Sequence, residues 1–133
     1  AALTAETVID DMEEVLASMR GAGGFLQTAA FAKQHGLAFV AYEGGQHLQP
    51  KGQAELPYNA ALGAAQTHPR MYDLYCELLR LNRDLGCSLF THFSSVGRQG
   101  TRWGSWGAKA SYDIPDAQSP KMRALLDCNV ARA

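Results

Sequence analysis

The amino-acid sequence predicts an α/β fold made of parallel βα units. Stretches of helical periodicity alternate with short apolar runs, and both runs, LAFVAY at 37–42 and CSLFTHF at 87–93, follow a helical stretch that closes on glycine. A right-handed crossover would bring the second strand beside the first, with both carboxyl ends at one edge of the sheet. We expect residues 1–133 to form a single domain, since this length is typical of one.

Two helices are predicted before the first strand. Apolar residues recur at helical spacing from the candidate N-cap Thr4 to Arg20, and the glycine-rich segment 21–24 interrupts this pattern. A second helical stretch, Phe25–Gln34, ends at 35–36, where His and Gly are typical of a helix stop. The apolar positions of the first helix are Val8, Met12, Val15, Leu16 and Met19.

The second half of the chain repeats this order. Residues 44–58 form a predicted loop, long enough to be functional, and His68 with Pro69 introduces an amphipathic helix that closes at 84–86. After the second strand, the glycine-rich segment 94–107 is expected to be irregular. A last helix should begin at Pro120, because proline favours the first turn.

Composition and charge exclude several classes of function. The chain is 47% hydrophobic and 19% charged, with twelve basic against thirteen acidic residues and a net charge of -1. The basic residues form no stripe, so we expect no nucleic-acid partner. No apolar run approaches the roughly 18 residues of a membrane helix, so we expect no membrane partner either. The chain begins at Ala1 without Met, which leaves a secreted or periplasmic location open.

Cysteine and histidine usage argues against metals and cross-links. Cys76, Cys87 and Cys128 are odd in number and lack CxxC spacing, which favours reduced, partly buried thiols over a disulfide framework or a zinc knuckle. The four histidines show neither HxH nor HExxH spacing. We therefore predict no metal and no other cofactor.

The shared edge of the sheet is the expected place for chemistry. Glu43 ends the first strand, and Gly44 and Gly45 then let the backbone turn sharply. From the residues alone, capping of the turn or pairing with an arginine is a more ordinary role for this carboxylate than catalysis. The other polar residues predicted at the edge are His47, Thr91, His92 and Ser94.

Several stretches resemble a known family. They are GLAFVAYEGGQHL, HPRMYDLYCELL, LFTHFSSVGR, WGSWGAK and SPKMRALLD. Together they resemble the C-terminal part of bacterial clan A (β/α)8-barrel proteins that are glycoside hydrolase-like or cellulose-binding. The resemblance covers nearly the whole chain, and it implies that 4–35 is the sixth helix, 37–43 the seventh strand, 70–84 the seventh helix and 87–93 the eighth strand.

The resemblance implies site residues. Glu43 would be the nucleophile of a retaining glycosidase, and Trp103 or Trp106 would stack on a sugar. The family's acid/base glutamate lies on a fourth strand that has no counterpart here, and a whole barrel needs about 250 residues. The chain would therefore dock onto the rest of a barrel or self-associate to close its sheet. Further residues expected to shape the sugar site are Tyr42, His47, His92 and Arg102.

Each of these residues also has an ordinary alternative. His47 and His92 suit a metal, a sugar or Glu43 as partner, and Tyr42 either orients the carboxylate or packs within the strand. The two tryptophans form a sugar platform or cap a core, and Arg102 is solvated by default. A serine hydrolase has little support, because Ser94 lies in no GxSxG elbow.

Two hypotheses of function follow. The first is a retaining glycoside hydrolase that acts on a β-linked polysaccharide. The second is a carbohydrate-binding or structural piece without catalysis. Retaining hydrolysis needs two carboxyl groups about 5 Å apart, so a second carboxylate near Glu43 separates the hypotheses. The internal candidates for that acid are Glu55, Asp113 and Asp116.

Overall fold

The computed structural model describes residues 3–21, 23–50 and 56–129, and it has a mixed, helix-rich α/β fold. In chain order its elements are α1 (Ala5–Met19), α2 (Gly24–Gln34), β1 (Phe39–Gly44), α3 (Asn59–Ala65), α4 (Arg70–Asp84), β2 (Cys87–His92) and α5 (Pro120–Cys128), with a 3-10 turn at Asp116–Gln118.

The four helices predicted from periodicity are confirmed, with ends within two residues of those expected. At the start of α1, Thr4 and Thr7 form a reciprocal cap: the Thr7 N–H donates to Thr4 Oγ1 at 3.2 Å, and the Thr4 N–H donates to Thr7 Oγ1 at 2.9 Å. The short helix α3 was not predicted. Its sequence, NAALGAA, is mostly alanine and glycine and shows no apolar stripe.

The two strands pair in parallel, which confirms the α/β class. Val40 lies beside Leu89, and Ala41 lies beside Phe90. The prediction of TIM-barrel βα units is wrong. A barrel closes only when every strand has two neighbours, and the sheet formed by the described residues has only two strands. The chain after β2 does not return to the sheet as another βα unit; it forms an irregular loop and then α5.

The hydrophobic core lies among the helices and beneath the carboxyl end of the sheet. Helix α4 contacts α1, α5 and β2, and α1 also contacts α3. The core is therefore organised around α4, the amphipathic helix that the sequence predicts after Pro69. The most buried core side chains are Ile9, Ala65, Met71, Tyr75 and Ala124.

A disulfide joins Cys76 in α4 to Cys128 at the end of α5. The prediction that these thiols are reduced is therefore wrong. The two cysteines are 52 residues apart in sequence, and only the packing of α5 on α4 brings their Cα atoms to 5.2 Å. Cys87 is a free, partly buried thiol, as predicted.

No helix within residues 3–21, 23–50 and 56–129 combines the length and the apolar character that crossing a membrane requires.

Candidate functional site

The two glycines after Glu43 allow the chain to cross closely over the end of β2. A Cβ atom at Gly44 would collide with the ring of Phe90, and one at Gly45 would lie 3.1 Å from His92 Nε2. Gly45 also has a φ of 139°, which favours glycine. The glycines thus let the segment after β1 lie directly against the second strand.

His92 lies beneath this crossing in a hydrogen-bonded chain. Its Nδ1 is 3.0 Å from the Ser94 carbonyl oxygen, so this nitrogen carries the proton and Nε2 is the acceptor. The Tyr75 hydroxyl, 3.1 Å from Nε2, donates to it and accepts from the Gln46 N–H at 3.2 Å. Burial lowers the pKa of His92 to about 4, and the positive charge of Lys121 acts in the same direction. His92 is therefore a neutral, structural imidazole.

Several aromatic side chains lie close to this site. We define the aromatic face as His47, Phe93 and Trp106, whose rings meet at Trp106, together with Trp103 and the guanidinium of Arg102 on the same loop as Trp106. The ring centroids of His47 and Trp106 are 5.0 Å apart, and those of Phe93 and Trp106 are 6.0 Å apart. The Trp106 indole N–H donates to the Trp103 carbonyl at 2.8 Å. The Arg102 guanidinium lies 4.5 Å from the centre of the Trp103 ring, and the Trp103 residue is 58% exposed.

The loop that carries both tryptophans is closed at its base by backbone hydrogen bonds. The Ser94 N–H donates to the Trp106 carbonyl at 3.1 Å, and the Ala108 N–H donates to the Ser94 carbonyl at 2.8 Å. At the tip, the Gly104 N–H donates to the Thr101 carbonyl at 3.0 Å. A Cβ atom at Gly104 would lie 2.7 Å from the Trp106 ring, so this glycine gives the indole its space.

A buried polar cluster supports the same loop from below. The Ser105 carbonyl accepts hydrogen bonds from Gln46 Nε2 at 2.8 Å and from Lys121 Nζ at 2.9 Å. Lys121 Nζ also donates to Gln66 Oε1 at 2.7 Å. All four residues are buried, and burial lowers the pKa of Lys121 to about 7.

This cluster was not predicted, although one feature of the α5 sequence indicates it. Lys121, Ala124, Leu125 and Cys128 lie at helical spacing i, i+3, i+4 and i+7, so the lysine occupies a position on the apolar face. A lysine is almost never fully buried unless it is paired, and its presence on such a face therefore points to a buried polar partner.

The two residues before Gly44 lie apart from these contacts. Glu43 and Tyr42 are exposed, and neither side chain forms a hydrogen bond, ion pair or ring contact with another described residue. Of the proposed acids, Asp113 accepts from the Ser111 hydroxyl and Asp116 pairs with Lys109 at 2.7 Å. Glu55 lies outside the described residues.

The described part of the chain holds no group of three or more His, Cys, Asp or Glu side chains suited to a metal ion. It does contain an apolar cavity of about 470 Å³ between α1, α4 and the segment after β1. Leucine, valine and methionine form most of its wall. Such a wall offers few partners to sugar hydroxyl groups, so the aromatic face is the better candidate for a glycan.

Comparison of the chain with protein-family models, curated proteins and solved structures finds no match. The resemblance to the C-terminal part of a clan A glycosidase barrel is therefore wrong. No solved barrel supports it, and the chain itself is a helix-rich fold with two parallel strands among its described residues. Two of the motifs that suggested it, GLAFVAYEGGQHL and WGSWGAK, contain the glycine turn after β1 and the tryptophan loop after β2. The close approach of Gly44 to Phe90 and of Gly104 to Trp106 accounts for a glycine in each.

Proposed function

We propose that this chain is a carbohydrate-binding protein that holds a β-linked polysaccharide on its aromatic face. The observation that carries the proposal is the exposed Trp103 ring on a loop closed by hydrogen bonds at its base and its tip. A large exposed aromatic surface commonly marks a binding site. Rings next to N–H donors suit a sugar, which has apolar C–H faces and polar hydroxyl edges.

Hydrolysis has less support from the site. A retaining glycosidase needs two carboxyl groups about 5 Å apart. Glu43 forms no hydrogen bond or ion pair with the described residues, and Asp113 and Asp116 are engaged with Ser111 and Lys109. Nothing on the described surface thus orients or activates Glu43. Retaining hydrolysis by this residue stays a prediction.

Replacing either tryptophan is expected to weaken glycan binding. Trp103→Ala should weaken binding at least tenfold, about 1.4 kcal/mol, because it removes the exposed ring. Trp106→Ala should weaken it too, because its indole N–H bonds to the Trp103 carbonyl and its ring contacts His47. We would measure binding to soluble β-glucan, xylan and mannan by calorimetry and affinity electrophoresis.

Tyr112→Ala is the matched control for this experiment. Tyr112 is an aromatic residue that is 84% exposed and lies outside the aromatic face, so its loss should leave binding unchanged. Equal affinities in the wild type and Trp103→Ala, or no binding to any glycan, would contradict the proposal. Reducing-sugar release by the wild type that disappears in Glu43→Gln would show instead that the chain is a hydrolase.

The disulfide supports a setting in which polysaccharides are met. Structural disulfides form and persist in secreted and periplasmic proteins and are rare in reducing compartments. Cys76–Cys128 therefore fits the secreted or periplasmic location that the sequence left open.

We further propose that the chain self-associates through the exposed face of its sheet. Val40, Tyr42 and Leu89 are exposed and lie on one face, and Tyr42 is 80% exposed. A second copy would remove these apolar side chains from water, and a net charge of -1 hardly repels it. Light scattering should give twice the monomer mass for the wild type and the monomer mass for Leu89→Lys. A wild type that stays monomeric at high concentration would contradict this.

A further inference from the structure

The Ser105 carbonyl is the point at which four parts of the fold meet beneath the aromatic face. It accepts from Gln46 in the segment after β1 and from Lys121 in α5, whose amine also reaches Gln66 at the end of α3. The residues that follow Gln46 and Ser105 in sequence are His47 and Trp106. Their rings are the pair whose centroids are 5.0 Å apart.

We propose that Lys121 is a positioning residue for the aromatic face: by donating to the Ser105 carbonyl, its buried amine fixes the tryptophan loop in the conformation that binds a glycan. This deepens the proposed function and rests on it. Lys121 is not a contact residue for the sugar, because it is fully buried.

The contacts of the amine suit a neutral group that acts through hydrogen bonds. Its two hydrogen-bond acceptors among the described residues are oxygen atoms of uncharged groups, at 2.7 and 2.9 Å, and it forms no ion pair with a described carboxylate. A neutral amine has two N–H donors, so these two acceptors engage both of them. Burial lowers its pKa to about 7, in agreement with this pattern.

Lys121 affects the loop more than the helices. Its removal leaves Gln66 Oε1 without its donor, which costs some stability, but an apolar side chain of similar length still fills the buried space. The Ser105 carbonyl, however, loses one of its two donors, and only Gln46 remains to hold it. We therefore expect the loop to loosen while the helices stay folded.

The test compares Lys121→Met with the matched control Arg123→Met in the same helix. Arg123 is exposed and its guanidinium stacks on Tyr72 at 4.6 Å, away from the loop. In Lys121→Met the indole N–H of Trp106 should exchange with solvent at least tenfold faster, glycan affinity should fall at least tenfold, and circular dichroism should still show folded helices. Arg123→Met should keep the wild-type exchange rate and affinity.

The conservative variant Lys121→Gln tests for partial rescue, and it keeps the test valid if Lys121→Met does not fold. Lys121→Gln keeps an N–H donor near the carbonyl, so its indole exchange should lie between those of the wild type and Lys121→Met. If Lys121→Met does not fold, exchange at least threefold faster in Lys121→Gln than in the wild type still supports the proposal. Wild-type exchange in every folded Lys121 variant would overturn it.

The two readouts also keep this inference distinct from the proposed function. If the wild type binds no β-glucan, xylan or mannan, the proposed function fails, and the indole exchange still tests the hold of Lys121 on the loop. If the wild type binds and Lys121→Met binds equally well, the proposed function stands and the positioning role is overturned.

Discussion

Loss of the Cys76–Cys128 disulfide is expected to lower the free energy of unfolding by about 4 kcal/mol. The bond closes a loop with a sequence separation of 52 residues, and a cross-link over such a distance strongly restricts the unfolded chain. In the folded state it joins α4, which contacts the rest of the core, to α5, which is short. Removing the bond therefore acts mainly by raising the conformational entropy of the unfolded chain.

The measurement is urea unfolding of the wild type and of a Cys76→Ser, Cys128→Ser double variant, followed by circular dichroism. Cys87→Ser is the matched control, because Cys87 is a free cysteine and its loss leaves the cross-link intact. The double variant should unfold at a markedly lower urea concentration, and Cys87→Ser should unfold close to the wild type. A loss below about 1 kcal/mol would mean that the bond constrains little in the unfolded chain.

The disulfide also has a consequence for the site. Lys121 and Cys128 both belong to α5, at its start and its end. Undocking of this helix would remove the amine from the Ser105 carbonyl. The double variant should therefore bind glycan more weakly even under conditions in which circular dichroism still shows folded helices.

The sequence predicts features that depend on neighbouring residues. Thr4 marks the start of α1, His35 and Gly36 mark the end of α2, and Pro120 starts α5, because caps and helix stops act within one turn. The parallel pairing of β1 and β2 also followed from local alternation. The helix ends are predicted because the physical cause of each lies within a few residues, and the strand pairing is predicted because a right-handed crossover places consecutive parallel strands side by side.

Features that depend on distant contacts were missed or mistaken. The spacing of Cys76 and Cys128 gives no sign that α5 packs on α4, and the barrel was inferred from two strands whose further neighbours no local pattern can supply. At the site, the sequence named both tryptophans and His47, and the rings of His47 and Trp106 are in contact while Trp103 lies on the same loop as Trp106. It did not reveal that Lys121 lies beneath them, because burial of a charged residue is decided by the whole fold.

The free energy of unfolding is expected to rise by about 3 kcal/mol between about pH 6 and about pH 9. Burial lowers the pKa of Lys121 from 10.5 to about 7. Between these values the unfolded chain keeps a proton on this amine that the folded chain has lost, so a higher pH disfavours the unfolded state. His92 adds a smaller rise with the same sign, because its pKa falls from 6.5 to about 4.

Above about pH 10 the direction should reverse, since burial raises the pKa of Tyr75 and its phenol then stays protonated longer in the folded chain. The profile is best measured by urea unfolding in a Cys87→Ser background, because a thiolate at high pH would attack the disulfide. Lys121→Met should remove most of the rise, and Arg123→Met should keep it. A flat wild-type profile would mean that the amine stays charged in the folded state, and Lys121 would then hold the Ser105 carbonyl as an ammonium ion.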